Sequence, residues 1–289
     1  MFRRNTLLHL RIPFSFFLLP IYCFALSQAP AVALVPALVL FAALHLFVYP
    51  ASNAYNSYHD RDEGPIGLLK SPPPVDENLF RISLLFDALG LALGLVLGWA
   101  IALQLAAYSL ISRAYSWPGI RLKKYPWASW AVVSLFQGGF TYLLCYQVIA
   151  GLALTDAYRL PHLWAALATT LQTAAIYPLT QIYQHAEDRA RGDRTLSLVL
   201  GVRGTFIFSA AVFALSVGAL LLYFRHTERM GSFWLLQAAL LPVVAYFGYW
   251  ALKVWRHPGR VRYEEPMRLN LLSAALLSAA FLYLAFWGY

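Results

Sequence analysis

The feature that most restricts the fold of this 289-residue chain is a series of long apolar stretches running from one end to the other. Apolar stretches of about 18 residues or more are typical of helices that cross a lipid bilayer. The nine stretches here are 6–28, 31–55, 83–103, 104–117, 127–151, 161–184, 204–224, 232–252 and 268–288. They predict an all-α integral membrane protein of about nine transmembrane helices in a bundle, with residues 1–289 as a single polytopic domain. We place the boundary between the third and fourth stretches at Gln104.

Composition excludes a soluble domain and gives no support to nucleic-acid binding. Hydrophobic residues make up 60% of the chain and charged residues 12%, against about 25% charged in soluble domains. The net charge of +9 is expected to face lipid headgroups, because basic residues of membrane proteins gather on the cytoplasmic side. Cys23 and Cys145 lie inside apolar stretches without a CxxC pattern, so we interpret both as packing residues.

The positions of lysine and arginine predict the orientation. With a cytoplasmic N-terminus and nine helices, nineteen basic residues fall inside and only Arg159, Arg225 and Arg229 fall outside. We therefore expect a multi-pass protein of the cell (inner) membrane, with the C-terminus on the opposite side. Residues 1–29 also resemble a signal peptide, but Arg11 and Pro13 interrupt the stretch, and we expect a retained helix.

An internal repeat appears at an offset of 128 residues. The segment 49–64 aligns without gaps to 177–192, with six of sixteen positions identical, and both copies read Y-P-x-[ST]-[NQ]-x-Y-[NQ]-x-x-x-D-R-x-x-G. The copies end the second and sixth predicted helices, so the repeating unit is four helices and both copies face one compartment. This predicts repeat units of about 1–126 and 127–258, followed by a ninth helix at 268–288.

Each copy carries a stripe of oxygen ligands. On a helix, Asn53, Asn56 and Asp60 share one face, and Gln181, Gln184 and Asp188 have the same spacing. Polar side chains at membrane depth are costly, so each stripe is expected to face an internal cavity, where carboxylate and amide oxygens suit Mg²⁺. The alternative is that these are solvated acids at helix ends, which the duplication disfavours. Asp87, in the third helix, is a further intramembrane acid whose role the sequence leaves open between function and a hydrogen bond to a neighbour.

Three segments carry a resemblance to a known family. The segment 56–64 resembles the first Asp-rich motif of the UbiA superfamily of intramembrane prenyltransferases, and 188–196 resembles the second. The segment 115–123 resembles the family's loop with Tyr and Lys/Arg after the fourth helix. The resemblance implies Mg²⁺-dependent transfer of a polyprenyl group from a polyprenyl diphosphate to a lipophilic, aromatic or related acceptor within the membrane.

The resemblance also implies roles for individual residues. Catalytic roles would fall to Asp60, Asp188 and Lys123; the donor diphosphate would be bound by Asn56, Arg121, Lys123, Tyr115 and Arg189; and Mg²⁺ would be held by Asn56, Asp60, Gln184 and Asp188. Two departures stand out: the third Asp of the first motif falls on Gly64, and the leading Asp of the second falls on Gln181 or Gln184. The second half-site is therefore expected to be the weaker one.

The sequence leaves the acceptor open among aromatic acids or quinone precursors, porphyrin-type rings, glycerol phosphates and sugar phosphates. One alternative is phosphoribosyl-type transfer, in which a polyprenyl phosphate is the acceptor. Another is a non-enzymatic transporter, because parallel helix repeats also build transporters. Transporter sites usually lie near the bilayer midplane, whereas these motifs lie at helix ends and continue into charged loops.

Overall fold

The computed structural model describes residues 4–257, 259 and 261–288, so Arg3 and Arg260 of the charge count lie outside the described residues. Within that range the chain is helical, apart from loops and one isolated bridge between Ile66 and Leu69. The long helical segments are α1 Arg4–Gln28, α2 Leu34–Asp60, α3 Glu77–Leu97, α4 Trp99–Ser116, α5 Pro126–Ile149, α6 His162–Gln181, α7 Leu196–His226, α8 Met230–Arg256 and α9 Glu264–Trp287. The all-α membrane fold predicted from the sequence is confirmed.

Seven of these segments are long and apolar enough to cross a membrane. The other two, α4 and α6, have 18 and 20 residues but carry more polar side chains, including Gln104 and Arg113 in α4 and Gln172 in α6. The number of nine membrane crossings therefore stays a prediction. The free, buried thiols of Cys23 and Cys145 agree with their interpretation as packing residues.

The division between the third and fourth helices at Gln104 was wrong. The chain breaks at Gly98, whose φ of 127° is a conformation that residues with a Cβ rarely adopt. At its other end α3 begins at Glu77, because the side chain of Asp76 accepts a hydrogen bond from the Asn78 N–H at 3.0 Å and caps the helix. The first turns of α3 contain polar residues, so the predicted apolar stretch, 83–103, begins later than the helix does.

Several long segments are irregular inside. In α1, Arg11 takes a left-handed φ of 46° and is followed by a 3₁₀ stretch, Ile12–Leu18. In α2 and α5 the hydrogen bonding is of the π type over Ala43–Val48 and Leu135–Phe140. Gly201 interrupts α7 with φ 67° and ψ 173°. Such interruptions re-aim the turns on either side of them.

The described residues form two compact units. The first contains the residues up to Phe16 and Ala33–Lys123. Within it the end of α2 packs against α3, α4 and the first turns of α1, around a cluster of Leu10, Ala54, Leu79 and Ile82. These contacts fix the last turn of α2, which ends in Asp60.

The second unit contains Phe17–Val32 and the described residues from Lys124 onward. The end of α1 packs there against α5 and α9, where the ring of Phe24 stacks on Phe281 with centroids 4.6 Å apart. Close contact between α5 and α6 depends on glycine: a Cβ on Gly138 would lie 2.6 Å from the backbone of Thr169 and Thr170. The predicted division into repeats at 126 and 258 stays a prediction.

Candidate active site

Asp60 ends α2 in a nearly buried position, with a side chain only 6% exposed, and two cations face it. Lys123 Nζ donates to Asp60 Oδ1 at 2.5 Å, and Arg121 Nη1 lies 3.9 Å from the same oxygen. A buried carboxylate is stable only where charge and hydrogen bonds compensate its lost hydration. The three predicted residues Asp60, Lys123 and Arg121 are therefore brought together in the first unit.

Asn56, one turn earlier in α2, is the second oxygen-bearing residue of this group. Its Nδ2 donates to Asp60 Oδ2 at 2.8 Å and to Ser116 Oγ at 2.9 Å. With Nδ2 engaged on both acceptors, the Asn56 carbonyl oxygen Oδ1 makes no hydrogen bond to any residue that the structure describes. An amide oxygen beside a carboxylate is the kind of donor set that Mg²⁺ takes when substrate phosphates complete its shell.

The loop after α4 delivers the two cations. The helix ends at Ser116, Trp117 and Pro118 turn the chain, and Arg121 N–H returns to the carbonyl of Trp117 at 2.6 Å. Arg121 adopts a left-handed φ of 46°, a backbone conformation that a residue with a Cβ adopts only at a cost in free energy. A short 3₁₀ turn that contains Lys123 follows. Tyr115 lies in the last turn of α4, half-buried, and its diphosphate role stays a prediction.

In the second unit Asp188 is also buried, but it lies on a separate short helix, His185–Arg191. Its Oδ2 accepts a hydrogen bond from Thr195 Oγ1 at 3.0 Å. Gly192 ends the helix with φ 74°, and the next N–H, of Asp193, donates to the carbonyl of Asp188 at 2.9 Å. Arg189, predicted to bind diphosphate, is exposed on this helix.

The prediction that Gln181, Gln184 and Asp188 share one helix face was wrong. The helix α6 ends at Gln181, two turn residues and Gln184 follow, and Asp188 belongs to the next helix. The side chain of Gln181 is buried, and its Oε1 accepts from the N–H of Ser197 at 3.4 Å, in the first turn of α7. This hydrogen bond engages the Gln181 oxygen that the sequence predicted to face a metal ion. Gln184 is half-buried and lies at the start of the short helix.

His185 lies beside this group and faces the same turn of α7. Its Nε2 is 2.8 Å from Ser197 Oγ, which in turn lies 3.1 Å from Thr205 Oγ1. Burial, aided by the charge of Arg189, lowers the pKa of His185 below its ordinary value. This shift favours the neutral imidazole, which can hydrogen-bond to Ser197.

Sequence reasoning missed the partners that fix these side chains. Ser116 and Thr195 are hydroxyl residues that lie inside the segments 115–123 and 188–196, but neither was assigned a role from the sequence. It also missed that Asp87 has a partner: Arg113 Nε donates to Asp87 Oδ2 at 2.8 Å, and Ser109 Oγ donates to Oδ1 at 3.0 Å. The guanidinium of Arg113 lies 4.4 Å from the ring centre of Tyr55, which ties this ion pair to α2.

No group of three or more His, Cys, Asp or Glu side chains within the described residues is placed to hold a metal ion. The described residues therefore show no cluster of the His, Cys, Asp or Glu side chains that bind structural zinc. The oxygens of Asn56 and Asp60 fit a hard cation whose remaining ligands come from a bound phosphate group.

Comparisons with known proteins agree with this chemistry. The sequence profile of the UbiA prenyltransferase family matches residues 16–273. The fold is similar to a UbiA homologue from Archaeoglobus fulgidus solved with GPP and Mg²⁺ and with DMAPP and Mg²⁺; for each, identity is 19%, the TM-score 0.70, and coverage 97% of this chain and 99% of that one.

Two further solved structures share the fold. A UbiA homologue from Aeropyrum pernix K1 is 18% identical with a TM-score of 0.70, covering 93% of this chain and 97% of its own. Digeranylgeranylglyceryl phosphate synthase is 17% identical with a TM-score of 0.62, covering 98% of both chains. No curated protein sequence matched the chain.

Proposed function

Because the chain belongs to the UbiA prenyltransferase family, we propose that it transfers a polyprenyl group from a polyprenyl diphosphate to a lipophilic acceptor within the membrane, with Mg²⁺. The observation that carries this proposal is the group formed by Asn56, Asp60 and Lys123, in which a nearly buried carboxylate and a half-buried amide meet a cation. Supporting it, a structural relative binds GPP and DMAPP together with Mg²⁺.

In the proposed reaction the bond between the allylic carbon and the diphosphate oxygen breaks, and the diphosphate leaves with the electron pair. Asn56 and Asp60 would hold the Mg²⁺, which when bound would stabilise the negative charge that builds on the leaving group. Lys123 and Arg121 neutralise further diphosphate oxygens at positions fixed before the reaction starts. The acceptor attacks the allylic carbon and loses a proton, which completes the transfer.

The second unit is proposed to supply Asp188 as a metal ligand or diphosphate partner. Thr195 orients its carboxylate, and the turn through Gly192 fixes its backbone. Gln184 completes this half-site with a neutral amide oxygen, a weaker ligand for a hard cation than a carboxylate. Gln181 is left out of the ligand set, because its oxygen caps the start of α7.

Both groups are proposed to lie on the cytoplasmic side, where nineteen of the twenty-two basic residues fall in the orientation given above. Diphosphate donors are anionic and water-soluble at the head, so a site at this surface admits the head while the prenyl chain stays in the bilayer. The acceptor is proposed to be aromatic or a related lipophilic molecule. Similarity to digeranylgeranylglyceryl phosphate synthase keeps a glycerol phosphate among the candidates.

The test uses purified protein in lipid nanodiscs with labelled prenyl diphosphates of several chain lengths, Mg²⁺, and a lipid extract as the source of acceptor. We expect a prenylated lipid product that disappears when EDTA replaces Mg²⁺. Asp60→Asn removes a charged ligand while keeping shape, and it should lower the rate at least about 100-fold, or about 2.7 kcal/mol.

Asp156→Asn is the matched control, because it removes an exposed carboxylate that, among the described residues, pairs only with Arg159 and that lies on the predicted opposite side. It should leave the rate unchanged. Full activity of Asp60→Asn in correctly inserted protein would show that this carboxylate does not bind the metal. The absence of any prenylated product with every donor, with binding of the donors also absent, would overturn the proposed function.

A further inference from the structure

A cleft of about 440 Å³ lies in the second unit where α5 begins. Lys124, Tyr125 and Trp127 line the cleft, together with Arg194, from the turn that leads into α7, and Val199, from the start of α7. The volume is within the range of about 300 to 1,000 Å³ that is typical of small-ligand sites. None of these five residues belongs to the proposed active site.

The two cations of this cleft are available to a ligand. Among the described residues Arg194 has no hydrogen-bond or ion-pair partner, and the contact of Lys124 is with the ring of Tyr125, 5.1 Å from its ammonium. Asp193, the nearest acid in sequence, is buried. The cleft is therefore a region of uncompensated positive charge that attracts an anion.

The rest of the lining is apolar and half exposed. Tyr125 and Trp127 are 51% and 52% exposed, and the ring of Trp127 is held edge-on against Trp130 and Phe208, with centroids 6.1 and 6.0 Å away. Tyrosine and tryptophan with this mixture of apolar ring and polar tip concentrate where a bilayer meets water. The apolar span of α5 begins at Pro126, so the cleft lies at the end of a predicted crossing.

We propose that this cleft binds the phosphate-bearing headgroup of an anionic phospholipid from the predicted cytoplasmic side of the membrane. Lys124 and Arg194 pair with the phosphate, while the rings of Tyr125 and Trp127 pack on the glycerol and upper acyl region. A soluble phosphate would use the cations but leave the exposed rings in water. The combination of free charge and exposed aromatic surface therefore favours a lipid as the occupant.

The test places a fluorescent probe in the cleft. Cys23 and Cys145 are buried, so Val199→Cys, at a position 45% exposed, gives one accessible thiol for a bimane label. The labelled full-length protein is reconstituted in phosphatidylcholine nanodiscs with a small fraction of doxyl-labelled phosphatidylglycerol or doxyl-labelled phosphatidylcholine. We expect phosphatidylglycerol to quench the probe in excess of its share of the lipid.

The variant Lys124→Gln/Arg194→Gln should reduce this preference about 30-fold, the factor that corresponds to about 1 kcal/mol for each of two basic residues near a lipid surface. Arg81→Gln/Arg256→Gln removes the same charge from two other exposed sites on the predicted cytoplasmic side and should keep it. Equal loss in both double variants would mean general charge attraction and would overturn the proposal. Loss of the preference on adding millimolar inorganic pyrophosphate would assign the cleft to a soluble anion, which also overturns it. Neither result depends on prenyl transfer.

Discussion

Removing one member of the Asp87 and Arg113 ion pair should strongly destabilise the first unit. Both side chains are mostly buried, at 13% and 19% exposure, and Asp87 accepts from Arg113 and from Ser109. Asp87→Leu leaves the guanidinium buried without a counter-charge, which typically costs about 3–5 kcal/mol. The double variant Asp87→Leu/Arg113→Met removes both charges and should recover most of this loss.

The assay is reversible unfolding in mixed micelles with increasing SDS, followed by circular dichroism, for the two single variants and the double variant. The exposed pair of Asp156 and Arg159, at 37% and 75% exposure, is the comparison, and Asp156→Leu should cost less than about 1 kcal/mol. A cost for Asp87→Leu that is equally small, or a double variant that is destabilised by the sum of the single variants, would refute the reasoning. Because Arg113 also contacts Tyr55 in α2, prenyl transfer should fall together with stability.

Three other outcomes follow from the structure. Gln184→Asp should lower the Mg²⁺ concentration needed for half-maximal transfer, measured by titration, and an unchanged requirement would remove Gln184 from the ligands. Gln181→Asp should only lower stability, because the shorter side chain loses its contact with Ser197. Gly138→Ala should destabilise by about 1–3 kcal/mol through its clash with α6, while Gly218→Ala, whose new Cβ would meet no described atom within 4 Å beyond its own stretch of helix, should be neutral or stabilising in the same SDS titration. Reporter enzymes fused after Gly64 and Gly192 should both report cytoplasm and one near Arg159 the opposite side, and opposite signals from Gly64 and Gly192 would contradict the repeat.

The first half of the candidate site could be predicted because its geometry is local. Asn56 and Asp60 are four residues apart on the regular α-helical stretch Tyr49–Asp60, and their hydrogen bond follows directly from helical spacing. Lys123 is 63 positions from Asp60, and spacing alone does not connect them. It was found because the segment that contains it resembles a known loop.

The second half could not be read in the same way, because tertiary contacts decide where the helix ends. Helical periodicity continues through Gln181 and Gln184, yet the chain leaves the helix after Gln181, whose side chain caps the next one. The break at Gly98 was missed for a related reason, since apolar residues flank it on both sides and only the backbone conformation marks it. Pairing of Asp87 with Arg113, 26 positions apart, likewise depends on the packing of α3 against α4.

The contact of Lys123 with Asp60 affects how the metal ion and the diphosphate bind in the proposed reaction. The lysine acts as an internal counter-ion that keeps a buried carboxylate neutralised while no ligand is present. A divalent cation arriving alone would have to displace the ammonium, and a diphosphate arriving alone would compete with the carboxylate for it. If both were bound, the carboxylate would exchange its lysine for the metal, and the lysine would exchange its carboxylate for the diphosphate. The two ligands should therefore bind cooperatively, each raising the affinity for the other by the same factor.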